Sequence, residues 1–257
     1  MLAAVREILA AMGGGDPGLA GSLERRGPRS GLSSPGTPVL NCVTLTVNPE
    51  AYEELLHRLS RAAGSADPLR PPFTVGSSPL AILETAIRED LSTLALPDRL
   101  STLARLAVIP LLRECATRLS SEIPPDWEPG YCPVCAAWPA LAETRGIERA
   151  RRLRCVRCAA DWAGELLCCC FCGERDHARL GSLTPEAAGT RATADTCFSC
   201  RGYLKTVTTL APLPAEDLLL MDFQTVELDL AARDAGFVRP PGLGAPLDVR
   251  ITAPPAR

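Results

Sequence analysis

The sequence predicts an α+β protein: a helical N-terminal domain, then two small metal modules, then a C-terminal helix. Three observations predict it. Four Cys-x-x-Cys pairs, Cys132/Cys135, Cys155/Cys158, Cys169/Cys172 and Cys197/Cys200, fall within about seventy residues. Leucine-rich stretches with helical spacing precede them. Short alternating runs, such as 204–208, lie among them and read as strands. Aromatic residues make up only 4% of the 257 positions, so small Ala- and Leu-rich helices must supply the N-terminal core.

Positions 1–12 read as a short amphipathic helix, with Leu2, Val5, Ile8, Leu9 and Met12 on one stripe and Gly13 as its stop. Sixteen of the 26 residues in 13–38 are Gly, Pro or Ser, a composition that predicts a flexible linker. An extended segment over 39–47 follows. Asn48 as N-cap, Pro49 at the first helical position and Glu50 in the first turn then start a helix with the stripe Tyr52, Leu55, Leu56 and Leu59. Ser78 and Pro79 repeat that start before Leu80, Leu83, Ile87, Leu91 and Leu94. A third helix spans about 98–120, and Pro110 should kink or split it. Pro124, Pro125, Pro129 and Gly130 mark a boundary. The cysteine-rich region runs from Tyr131 to about Leu210, and a last helix over about 217–235 carries Leu218, Met221, Val226 and Leu230. Its Pro-rich tail is expected to be loose. The predicted segments are therefore 1–38 (helix and linker), 39–130 (helical domain), 131–165 and 166–210 (metal modules), and 211–257 (helix and tail).

A thiolate is a soft anionic ligand, and four around one ion select zinc or iron over magnesium or calcium. One Cys-x-x-Cys turn aims two sulfurs at one ion, so two turns close a tetrahedral site and four turns close two. Nineteen residues separate Cys135 from Cys155 and 24 separate Cys172 from Cys197. Both gaps fit a hairpin between two turns. The pairing this suggests is Cys132, Cys135, Cys155 and Cys158 at site one, and Cys169, Cys172, Cys197 and Cys200 at site two. An interleaved, cross-brace pairing stays open, because spacing alone underdetermines connectivity. A site of four protein thiolates has no open coordination position, so it is structural or electron-transferring rather than hydrolytic.

Cys168 and Cys170 adjoin Cys169, but only Cys169/Cys172 keeps the two-residue spacer with Gly173 after it; the other two read as spare thiols. Cys42 and Cys115 read as buried small hydrophobes, and His57 and His177 as solvated. Arg149, Arg151, Arg152, Arg154 and Arg157 form a basic run beside Cys155. A nucleic-acid patch is one reading; a solvated hairpin that offsets the negative charge of thiolate centres is the reading preferred. Net charge is −3, which speaks against electrostatic nucleic-acid binding by the whole chain. No secretory signal is read in the first residues, where Arg6 and Glu7 interrupt the apolar stretch, and no run of 18 apolar residues suggests a membrane span. Twelve cysteines without such a signal point to reduced thiols in the cytoplasm.

Cys132-Pro-Val-Cys135 with Pro139 four residues later, Arg151 to Cys158, Trp162 four residues after Cys158, Cys169 seven after Trp162, and Cys197-x-x-Cys200 followed by Tyr203-Leu204-Lys205 come in one order. With Leu228-Asp229 and Gly236-Phe237 farther on, this succession resembles the formate dehydrogenase accessory protein FdhE family over about residues 131–239. The resemblance implies a cytoplasmic, non-enzymatic protein. It implies rubredoxin-like, zinc-ribbon-like modules binding iron (zinc as the alternative) at two sites, and contact with the catalytic subunit of formate dehydrogenase during its maturation. It places the eight paired cysteines as metal or partner-contact residues. Ala136 and Arg201 stand where the family usually has glycine, and Leu166 where it has arginine. Two other classes compete: a zinc-ribbon module that binds nucleic acid or protein, and a dithiol redox enzyme. No Ser/His/Asp set, phosphate loop or pair of catalytic carboxylates is evident.

Overall fold

The structure is a computed structural model that describes residues 9–10, 20–26, 36–62, 78–94, 96–184 and 192–255. The helix expected over 1–12 lies outside the described residues except at positions 9 and 10, and much of 13–38 lies outside them as well. The chain divides into two compact units, Met1–Glu122 with Pro246–Arg257, and Ile123–Ala245.

In the first unit, strand β2 (Val43–Val47) buries alternate residues, as a strand with one covered face must. β1 (Ala20–Arg25) pairs with it antiparallel and β9 (Val249–Thr252) pairs with it in parallel. Both partners correct an expectation. β1 lies inside the segment read as a flexible linker, and β9 inside the tail read as loose. A composition argument counts side chains, whereas these strands gain order by hydrogen-bonding their backbones to β2. Side chains pin them too. Arg25 donates to the Val39 and Asn41 carbonyls and pairs with Glu122 at 2.5 Å. Glu84 accepts from the Ile251 N–H at 2.8 Å.

Helix α1 (Pro49–Ala62) starts where its caps direct, with the Glu50 N–H donating to Asn48 Oδ1 at 3.0 Å, and buries Tyr52, Leu55, Leu56 and Leu59. Helix α2 (Pro79–Ile87) is capped by Ser78 Oγ, which accepts from the Ala81 N–H. It stops at Ile87, earlier than the leucine spacing suggests, and Leu91–Leu94 form a separate 3-10 turn. Helix α3 (Asp98–Arg118) runs through Pro110, which neither ends nor splits it. Val108, Ile109, Leu111 and Leu112, buried on both sides of the proline, offset the roughly 3 kcal/mol that an interior proline costs.

The second unit is built on one sheet of order β5-β4-β3-β8-β7-β6. β3 (Leu141–Arg145), β4 (Ala150–Arg154) and β5 (Asp161–Ala163) form one antiparallel set. β6 (Leu180–Leu183), β7 (Ala192–Cys197) and β8 (Tyr203–Thr209) form another. The first strand of one set lies parallel to the last strand of the other, Leu141 opposite Lys205 and Arg145 opposite Thr209. The two cysteine modules thus share a continuous sheet. The single last helix expected here is two: α4 (Ala215–Gln224) and α5 (Val226–Asp234). The break is at Thr225, whose hydroxyl donates back to the Met221 and Asp222 carbonyls. Leu228 and Ala232 of α5 pack on Ala192, Ala194, Tyr203, Val207 and Phe237.

Candidate metal centres

The four Cys-x-x-Cys turns share one backbone pattern. In each, the N–H of the first cysteine donates to the carbonyl five residues on: Cys132 to Ala137, Cys155 to Ala160, Cys169 to Glu174 and Cys197 to Gly202, at 2.8–3.0 Å. The residue after the second cysteine takes a left-handed conformation every time: Ala136 (φ 60°), Ala159 (φ 62°), Gly173 (φ 75°) and Arg201 (φ 59°). Only one of the four is glycine. The left-handed region costs an L-residue about 1–2 kcal/mol. Ala159→Gly is therefore expected to raise unfolding stability by about 1 kcal/mol, read as a higher melting temperature; an unchanged or lower one would contradict the turn geometry. Ala136→Gly should gain less, because Ala136 is fully buried and its methyl group packs. Arg201 has another return on its strain. Its guanidinium lies 4.2 Å from the Phe237 ring centre and donates to the Ala235 and Gly236 carbonyls.

The turns bring the sulfurs together in sequential pairs. Cys132, Cys135, Cys155 and Cys158 form one group and Cys169, Cys172, Cys197 and Cys200 the other, each with its Sγ atoms within 4.8 Å of one another. The interleaved pairing is not what the fold adopts. Within the first group, Cys132–Cys158, Cys135–Cys155 and Cys135–Cys158 are separated by 3.4, 3.6 and 3.8 Å. In the second, Cys169–Cys200 and Cys172–Cys197 are separated by 3.6 and 3.7 Å. A disulfide needs about 2.05 Å. A tetrahedron of sulfurs about 2.3 Å from a central ion has edges of about 3.8 Å. The donor set and its spacing therefore fit a tetrathiolate ion at both groups. The Val134 N–H points at Cys132 Sγ and the Gly202 N–H at Cys200 Sγ, both at 3.4 Å.

Burial pushes the Cys132 and Cys158 thiols up, while hydrogen bonds from Cys132, Cys155 and Cys158 hold Cys135 down. In the second group, burial raises Cys169 and takes Cys200 up to about 11. Cys197 goes the other way: burial opposes its charge, but the Cys200 and Ser199 N–H groups prevail. A cation bound among these sulfurs would favour their ionised form.

The other candidates fall outside these groups. Cys168 and Cys170 are half-buried, and burial takes Cys170 up to about 12. Cys115 is buried as expected. Cys42 is half-buried rather than buried, at φ 56° in the turn before β2, because its Sγ faces Asp248 Oδ2 at 4.0 Å. His177 is exposed in a 3-10 turn, outside the second group's four ligands, and His57 is half-buried in α1.

The basic run is largely absorbed by carboxylates. Arg152 pairs with Asp161 at 2.5 Å, Arg151 with Asp195 at 3.4 Å, and Arg154 with the fully buried Glu143. This corrects the expectation of a solvated run, since Arg154 and Arg157 are buried, while the Arg157 charge helps hold the Cys135 thiol down, as a run that offsets thiolate charge should. Burial works against the Glu143 charge, but Arg145, Thr209, Arg154 and the Leu213 N–H hold its carboxyl below the usual range.

A second network gathers Tyr203 and Lys205 from the Tyr203-Leu204-Lys205 run and Asp229 from Leu228-Asp229, joined by Asp222 and Arg239. Lys205 Nζ is fully buried and sits 2.8 Å from both Asp222 Oδ1 and Asp229 Oδ2, with the Asp222 carbonyl at 2.5 Å. Arg239 reaches the same two carboxylates at 2.8 Å, and the Tyr203 hydroxyl donates to Asp229 at 2.8 Å. The motifs named three of these residues but not that they meet; a further signal in the sequence is that Lys205 is the only lysine beside 26 arginines.

No protein-family model matches the chain. Three curated relatives do, each described as a protein FdhE homolog. The one from Aquifex aeolicus is 30% identical over 119 residues, 44% of this chain and 40% of its own length. Those from Edwardsiella ictaluri and Pseudomonas aeruginosa are 30% and 34% identical over 110 and 116 residues. The matches thus span well under half the length of these relatives, 35–40%. The crystal structure of the FdhE protein from Pseudomonas aeruginosa has the same fold at a TM-score of 0.57 and 19% identity, over 96% of this chain and 87% of that one. The sequence likeness to FdhE homologs is thus confined to part of their length, and the crystal structure shows a shared fold. The fold match covers nearly the whole chain, including the N-terminal stretch that carries none of the cysteine motifs.

Proposed function

We propose that this chain is a cytoplasmic accessory protein for the maturation of formate dehydrogenase. In this reading two four-cysteine centres hold metal and shape the surface that meets the immature catalytic subunit. The observation that carries it is the pair of four-sulfur groups set in a fold shared with an FdhE protein. Cys132, Cys135, Cys155 and Cys158 hold one ion; Cys169, Cys172, Cys197 and Cys200 hold the other. Iron is the favoured metal and zinc the alternative, since both accept four thiolates. Iron would supply a one-electron couple, whereas zinc would supply structure alone.

The chain's own residues do the rest. The turns hold the sulfurs at fixed separations, and backbone N–H groups offset their charge. With all ligands supplied by protein, neither centre has a position for a hydrolytic water, which supports an accessory role over an enzymatic one. The nucleic-acid alternative loses ground at the basic run, where Arg151, Arg152 and Arg154 are committed to Asp195, Asp161 and Glu143. Among the described residues no helix is long and apolar enough to cross a membrane.

Two measurements test the proposal. Anaerobically purified protein should contain about two metal ions per chain, coloured if ferric and colourless if zinc. It should also co-purify with the catalytic subunit of formate dehydrogenase and restore formate dehydrogenase activity in cells lacking their own accessory protein. Salt-sensitive RNA or DNA binding with no effect on that activity would overturn it in favour of the nucleic-acid reading.

A further inference from the structure

The two sulfur groups have the same ligands and nearly the same geometry, but they meet solvent differently. Cys132, Cys135 and Cys155 are fully buried and Cys158 is 2% exposed. Chain lies over this first group: Ala137 bridges to Leu243, and the Gly244 N–H donates to the Ala136 carbonyl at 2.7 Å. In the second group only Cys169 and Cys197 are buried; Cys172 and Cys200 are exposed. Beyond the sulfur contacts, Ser199 Oγ donates to Glu174 Oε2 at 2.5 Å across its two turns. A cavity of about 550 Å³ opens beside it, lined in part by Cys169, Cys197, Phe171, His177 and Leu167. Exposed Phe198 sits between the ligands Cys197 and Cys200.

An ion behind four buried sulfurs leaves only when the surrounding structure opens. An ion two of whose ligand residues are exposed, with sulfurs only partly buried, can be attacked by an outside ligand while the fold stays closed. We propose that the second centre is the exchangeable one, giving up and taking back its ion by ligand exchange with an external thiol, and that the first is a permanent staple. The inference rests on the metal-binding part of the proposed function, not on the identity of the client enzyme. In the exchange, an incoming thiol would lose its proton as its sulfur took the place of Cys172 or Cys200 at the ion, and the displaced sulfur would take up that proton; the same replacement at the other three cysteines would free the ion. The metal keeps its oxidation state throughout. The incoming thiol is a free small thiol or a cysteine pair of another protein, and the chemistry is the same for both.

The test uses the full chain loaded with two equivalents of zinc, with release followed by a chromogenic chelator. Two phases are expected, one ion leaving at least ~100-fold faster than the other because it needs no global opening. The fast phase should accelerate with added glutathione, with a synthetic Cys-x-x-Cys peptide, or with both. Glutathione alone points to the small-thiol source, and the peptide alone to a protein source. Alkylation and mass mapping after the fast phase need no variant: Cys169, Cys172, Cys197 and Cys200 should be modified while Cys132, Cys135, Cys155 and Cys158 stay protected. Cys172→Ser should abolish the fast phase and leave the slow ion in place. Release of both ions in one phase, alkylation of the first group before the second, or a fast phase indifferent to both thiols would overturn the inference. Single-phase release of two ions would do so while leaving metal binding itself intact.

Discussion

Cys155→Ser with Cys158→Ser should unfold the cysteine-rich unit at ordinary temperature. Structural zinc sites contribute about 10–16 kcal/mol of apparent binding free energy, as large as the whole 5–15 kcal/mol net stability of a typical domain. The unit has little to replace it. Its helix-facing core is Ala192, Ala194, Tyr203, Val207, Leu228, Ala232 and Phe237, of which three are alanines. The double substitution also leaves Cys132 and Cys135 as fully buried thiols around a lost ion. Circular dichroism and metal analysis should show loss of the cooperative transition together with the metal of both sulfur groups, which share the unit and its sheet. The matched control is Cys115→Ser, which changes a buried thiol in α3 that belongs to neither sulfur group and should cost only about 1–3 kcal/mol for burying a hydroxyl. A double variant that melts like the parent and binds as much metal would refute the staple.

Lys205→Met should destabilise the same unit by about 3–5 kcal/mol, the usual result of removing one partner from a buried ion pair. The substitution leaves Asp222 and Asp229 facing each other with Arg239 alone to neutralise both. Lys205→Arg should rescue little. A compact ammonium with three donors reaches two carboxylates and a carbonyl within 2.8 Å, a geometry that a planar guanidinium cannot reproduce. The network also sets a pH dependence. Burial works against the Asp222 charge, but Arg239 and Lys205 prevail and hold its carboxyl below its ordinary 3.8. A depressed carboxylate contributes stability that is fully present above its unfolded pKa and is lost as pH falls through the folded value. The parent should therefore lose stability below about pH 4, more steeply than Asp222→Asn does. Because Lys205 carries the chain's one side-chain amine, an amine-reactive reagent reports opening directly. Beyond the chain terminus, it should label only protein that has unfolded; rapid labelling of the folded parent would contradict full burial.

The sulfur groups were readable in advance because a Cys-x-x-Cys turn is local: the spacing dictates where both sulfurs point, and short hairpins bring neighbouring turns together. The starts of α1 and α2 were readable for the same reason, since Asn48 and Ser78 cap N–H groups two or three residues away. What escaped was non-local. The parallel pairing of β3 with β8 joins residues more than sixty positions apart, and neither strand's sequence advertises its partner. β1 and β9 escaped because their order comes from backbone bonding to β2, which composition does not register. The unequal exposure of the two sulfur groups escaped because their motifs are alike; what differs is the chain laid over Ala136 and Ala137, which comes from residues 243 and 244.

The parallel seam also has a consequence at the ribosome. The first cage is complete, and β3 already bonded to β4, once β5 has emerged, yet the other edge of β3 has no neighbour until β8 follows. At about 5–20 residues per second that wait lasts some seconds. Throughout it the nascent chain displays an open strand edge, the kind of surface on which growing polypeptides adhere to one another. A starved or crowded translation system should therefore yield clumped, half-made chains that already carry their first ion.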